Sequence, residues 1–209
     1  DWFGHYAEWA SFAGVIPLVL AIFVLTAPIK KPRIVWYFVL LATASLLLAF
    51  QTPILDLVVN LRIPVLSTSA VSRIIVLVSF SIAALSGFGI DTLQKVWKER
   101  GLRFTAWYGI VWLLGISVIW GMILWGNLFW ISDVDSEKLS VAQRNFVLPS
   151  IFVIISVGMI FAGFIKWQKL RTGILLGMLL LTAFDMLRFA TKWMPFEERA
   201  YVYPQIPVL

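Results

Sequence analysis

Long uncharged runs alternate with short charged stretches along this chain, and that alternation predicts most of its structure. Six apolar segments stand out, at approximately 9–28, 34–50, 73–93, 104–126, 146–165 and 173–190. A helix needs roughly 20 such residues to cross a hydrocarbon core, and these runs are of that order. The first is uncharged from Trp9 to Ile29, with Pro17 inside it as an expected kink. The second follows Arg33 and stops at Gln51-Thr52-Pro53, while the fourth is uncharged from Phe104 to Gly126. The sixth is the most interrupted, because Asp185 and Arg188 fall in its last third. The pattern predicts an all-α membrane protein: a polytopic bundle of six transmembrane helices with a short interfacial or re-entrant segment between helices two and three. It forms a single transmembrane domain over residues 1–209. No repeat or low-complexity linker divides it.

The connections carry less regular information. Residues 53–72 include ILDLVVNLRIP, apolar with sparse charges and too short to span, which predicts a segment lying in the interface against the bundle. The loop 127–145 holds Asp133, Asp135, Glu137 and Lys138, and reads as a solvated loop because it lacks the glycine and ligand pattern of a calcium loop. Within helix three, Ser79, Ala83 and Gly87 recur every fourth residue, a small-residue stripe expected to bury that helix against a neighbour.

Composition and charge sharpen this picture. Of 209 residues 61% are hydrophobic and 13% charged, far from the balance of a soluble domain. The net charge of +6 does not point to nucleic acid, because the basic residues sit in short loops between apolar runs. Three connections, Lys30 to Arg33, Lys95 to Arg103 and Lys166 to Arg171, hold ten of the 17 basic residues. Those loops are therefore expected on the cytoplasmic side, with both ends of the segment on the outer face of a cell membrane. Nine of the 11 tryptophans, all but Trp112 and Trp120, lie near segment ends, as interfacial belts require. There is no cysteine, and His5 is the one histidine, so thiol chemistry and a histidine metal cluster are excluded. The chain opens at Asp1 without a signal-peptide pattern, which reads as a segment of a longer polypeptide.

Few groups could carry chemistry. Arg73 meets the start of helix three after Ser67, Thr68, Ser69 and Ser72. Helix-terminal amides, hydroxyls and a guanidinium would converge there into an anion site, phosphate being the obvious guest. The plainer alternative is an arginine anchoring the helix at the headgroups. Asp185, Arg188 and Lys192 share a face at spacings of three and seven. One reading makes Asp185 and Arg188 an internal ion pair; the other adds Arg188 and Lys192 to Arg73 around one phosphate, with Asp185 orienting Arg188. Glu8 and Asp56 are the carboxylates available for catalysis, although Glu8 serves equally as a charge at a helix start. No nucleotide-binding glycine loop is present, since Gly87-Phe-Gly89 lacks the rest of the pattern.

Three stretches resemble the YfhO-like family of bacterial membrane proteins, of the GT-C glycosyltransferase type. They are EWASFAGVIPLVLA from Glu8, PVLSTSAVSRIIVLVSFSIAALSGFGIDTL from Pro64, and DMLRFATKWMPFEERAYVYPQIPVL from Asp185 to Leu209. Together they cover about a third of the chain. The family often carries an aromatic-Arg pair where this chain has Ser67, Thr68 and Ser69, and an asparagine before the Pro-Phe where Met194 stands. The resemblance implies transfer of a sugar from a polyprenyl-phosphate donor to a cell-envelope glycopolymer acceptor such as lipoteichoic acid, on the outer face. It further implies that the catalytic carboxylate and more transmembrane helices lie upstream of Asp1, with a soluble domain after Tyr201 to Leu209. No cofactor is expected within this segment, and divalent-metal dependence of the full protein stays open. Membrane lipid is an expected partner. Two other classes stay in view: a transporter or flippase module for an anionic lipid, which would need a charged path through the midplane, and a scaffold without a ligand.

Overall fold

The computed structural model describes residues 11–50, 52–61, 71–99, 101–125 and 136–193, and every regular element among them is helical. In chain order these are α1 (Val15–Thr26), α2 (Arg33–Ala49), α3 (Pro53–Asn60), a 3-10 turn (Val71–Ile75), α4 (Val76–Glu99), α5 (Leu102–Leu124), α6 (Ser136–Ala162) and α7 (Gln168–Trp193). Four stretches are long and apolar enough to cross a membrane: Arg73–Glu99, Leu102–Leu124, Leu139–Ala162 and Gln168–Thr191. They make this a membrane-embedded helical protein. The helices α1, of 12 residues, and α2, of 17, are apolar but shorter.

The shortest of these apolar helices is the best buried. α1 is hydrophobic on all sides, and Ile16, Val19 and Phe23 are fully enclosed. Such a helix needs its surface covered by protein or by lipid, and here protein covers most of it. α4 covers it most closely. A Cβ at Gly89 would lie 2.3 Å from the carbonyl oxygen of Leu20, so the two backbones touch and only glycine fits there. α5 adds Tyr108, which meets Phe23 edge-on at 5.0 Å and donates its hydroxyl to the Val19 carbonyl. α6 and α7 complete the core with Val153, Val157, Ile160, Ile174 and Met178. Polar side chains inside the bundle are satisfied locally. Ser81, Ser156 and Thr105 donate to the carbonyls of Leu77, Phe152 and Gly101, one turn back. Among the described residues no buried side-chain nitrogen or oxygen lacks a partner.

Several expectations change. Pro17 does not kink α1; it stands in the first turn, where its missing N–H has no carbonyl to serve. Of the first predicted segment, residues 9 and 10 lie outside the described residues and 11–14 are not helical. The small stripe of helix three faces the wrong way for packing. Ala83 and Gly87 are exposed, and the buried row is Ser81, Leu85 and Gly89, continuing to Leu93 and Trp97. Two residues are about 200° of helix, so the predicted and actual rows lie on nearly opposite sides. The loop 127–145 is helical from Ser136 onward, which adds ten residues to the front of α6. Pro149, inside α6, is the proline that does interrupt a helix interior. Of the segment between helices two and three, α3 is an eight-residue helix, and residues 62–70 lie outside the described residues.

Candidate functional site

The helices alternate in direction, so their termini gather at two ends. α7 reaches both, and at each end it presents a charged side chain to another element's backbone.

At one end, Asp185 is 1% exposed, and its carboxylate accepts a hydrogen bond of 3.1 Å from the backbone N–H of Val15, the first residue of α1. α1 lacks a capping side chain of its own, because Gly14 precedes it with φ at 84°. Only glycine holds that conformation cheaply, and a Cβ there would also crowd Pro17 at 3.1 Å. A buried anion on the positive end of a helix satisfies the carboxylate and an orphan amide together. The same end is stitched by Ser11 and Ser79, whose hydroxyls share a 2.8 Å hydrogen bond, and by Phe12 stacked on Phe189 at 4.2 Å.

At the other end, the Arg171 Nε donates to the Gly163 carbonyl at 2.8 Å and its Nη2 to the Trp97 carbonyl at 3.5 Å. The guanidinium carbon lies 5.9 Å from the Trp97 ring centre. Trp97 is 2% exposed and donates its indole N–H to the Ile160 carbonyl at 2.8 Å. Gly163 is obligatory here, since a Cβ would lie 2.0 Å from that indole. A cavity of about 480 Å³ opens beside this cluster, lined by Trp97, Lys98, Leu102, Phe164, Lys166 and Arg171.

Between the ends runs an apolar groove made of two adjoining hollows of about 230 and 430 Å³. Both are lined by Trp112 and Gly115 of α5. The larger extends to Thr26 and Phe104; the smaller reaches Val15, Phe146 and Pro149 at the Asp185 end.

The residues singled out from sequence fall as follows. Arg73 is exposed on the 3-10 turn ahead of α4 rather than inside the helix proper, and that turn packs on α2. Arg188 is exposed on α7. The contacts at this end tie α4 and α7 together through residues 11–15. Asp185 faces inward to Val15 while Arg188 points outward, so the carboxylate caps α1 where pairing with or orienting Arg188 was expected. Asp56 is exposed on α3. Glu8 and the side chains of Ser72 and Lys192 lie outside the described residues, as do Asp133, Asp135 and the side chain of Glu137. Among the described residues no group of three His, Asp or Glu side chains is placed to hold a metal ion.

The cluster around Arg171 was visible in sequence only as loop charge that sets orientation, and Trp97 only as one more belt tryptophan. Trp97 is in fact a core residue. Its partner glycine, 66 positions away in the chain, gave no local signal. No family model, curated protein or solved structure matches this chain.

Proposed function

We propose that this chain is the lipid-handling part of a membrane glycosyltransferase that takes a sugar from a polyprenyl-phosphate donor and passes it to a cell-envelope glycopolymer such as lipoteichoic acid. In this reading all six apolar helices cross a bacterial cell membrane, with the Asp185 end on the outer face. The observation that supports it is the apolar groove along α1, α5 and α6, which reaches the end where Asp185 and Arg188 stand. A long isoprenoid chain fits such a groove by apolar burial alone. Its phosphate would then lie within the field of the exposed cations Arg73 and Arg188, and Ser72 and Lys192, next in the sequence pattern, are proposed to assist them. Cations at a leaving phosphate stabilise the charge that develops in the transition state. The sugar-activating carboxylate would come from the upstream helices of the same polypeptide.

Gly115 provides the test. It lines both halves of the groove, and a Cβ there meets nothing within 4 Å, so a side chain added at this position starts into open space. In the full-length protein, Gly115→Trp is expected to lower kcat/KM for a polyprenyl-phosphate sugar at least about tenfold, and Arg188→Ala by about as much. Normal turnover by a folded Gly115→Trp protein would remove the groove from the reaction.

A further inference from the structure

The cavity at the Arg171 end is used by nothing in the reading above, yet three cationic side chains line it. Lys98 comes from the end of α4, Lys166 from the turn between α6 and α7, and Arg171 from the first turns of α7. Trp97, Phe164 and Leu102 supply the remaining lining, and among the described residues no carboxylate lines the cavity. A smaller hollow of about 150 Å³ shares Trp97, Lys98 and Arg171 and adds Gln94, Gln168 and Thr172, all neutral donors.

The cations differ in mobility. Arg171 is fixed from behind by the carbonyls of Gly163 and Trp97, which use two of the five N–H donors of a guanidinium. The bound guanidinium is thus preorganised, whereas Lys98 and Lys166 are exposed and can close on a guest as flexible point charges. α5 begins at Leu102 with Gly101 as its N-cap and no side-chain cap bond, so first-turn amides add to the positive field beside the cavity.

The rim decides what kind of anion belongs here. Leu102 is 50% exposed, and Ile165 and Trp167, flanking Lys166, are 57% and 61% exposed. Exposed tryptophan beside lysine marks headgroup depth on a membrane protein. A soluble anion gains nothing from such a rim, whereas a lipid places its phosphate in the cavity and its chains along the apolar faces of α5 and α6. We infer that this cavity is a binding site for the phosphodiester headgroup of an anionic glycerophospholipid. It stands at the opposite end of the bundle from the proposed transfer site and does not depend on it.

The test uses the full-length protein in phosphatidylcholine nanodiscs doped with phosphatidylglycerol, with retained lipid read by native mass spectrometry. Wild-type protein is expected to retain phosphatidylglycerol over phosphatidylcholine. Replacing the exposed lysines, Lys98→Gln with Lys166→Gln, leaves the Arg171 carbonyl bonds in place and is expected to weaken retention about fivefold per lysine. Lys30→Gln with Lys95→Gln removes the same charge from residues that do not line the cavity, and is expected to leave retention unchanged. Equal losses in the two double variants would mean diffuse attraction and overturn the site. Unchanged retention in the Lys98/Lys166 variant would overturn it as well. A third arm adds inorganic phosphate as competitor, and displacement of the lipid at matched concentrations would assign the cavity to a soluble anion and sink the lipid proposal.

Discussion

The two ends of α7 solve one problem with opposite charges. At Asp185 an acid meets the amide end of α1; at Arg171 a base meets carbonyls at the closing ends of α4 and α6. Each charge faces the helix pole that attracts it. Each is also seated beside a glycine whose missing side chain makes room, Gly14 in one case and Gly163 in the other. The two residues are about 21 Å apart along the helix axis at the α-helical rise. The difference lies in what surrounds them. Asp185 is sealed and has a backbone partner, so it works as a structural fastener. Arg171 is half-buried and opens onto a cavity, so the same kind of fastening leaves donors pointing at a guest. A charged residue inside an apolar bundle is thus no guide to function until the far side of the charge is known.

The Arg171 end is the more sensitive of the two to added volume. Gly163→Ala places a methyl against the buried Trp97 ring, and about 3 kcal/mol of destabilisation is expected, with thermal unfolding in detergent as the readout. Asp185→Ala removes the acceptor of the Val15 amide, for an expected loss of about 2 kcal/mol, with faster hydrogen exchange at Val15 as the local sign. Asp185→Asn keeps an acceptor and should lose roughly half as much. If the two substitutions proved equal, the charge and not the acceptor geometry would hold α1. Gly14→Ala forces a methyl into the φ of 84° and against Pro17, with an expected effect of about 1 kcal/mol.

How much of this was legible along the chain depended on range. The apolar runs marked α2, α4, α5 and α7 because burial in a membrane needs little beyond length and the absence of charge. The same criterion truncated α6, whose first ten residues, Ser136 to Asn145, are polar enough to resemble a loop yet continue the helix. It also favoured the all-small row Ser79, Ala83 and Gly87 on α4, whereas the buried row of the same spacing is Ser81, Leu85 and Gly89, with a large residue in its middle. Only the position of Leu20 on another helix distinguishes them. Asp185 shows the limit most plainly. Its neighbours in sequence suggested Arg188 as a partner, while its actual partner is 170 residues away.

Pro149 has a mechanical meaning for the groove it lines. With no N–H to offer the carbonyl of Asn145, α6 is least stiff at that level, while Trp120 holds the next residue, Ser150, through a 3.0 Å bond from its indole N–H. The Ser150 hydroxyl spans that gap by donating to the Phe146 carbonyl at 2.8 Å, and the Phe146 ring packs 5.7 Å from the same Trp120. One indole thus braces α6 on both sides of its proline, and with it the wall that Phe146 gives to the hollow.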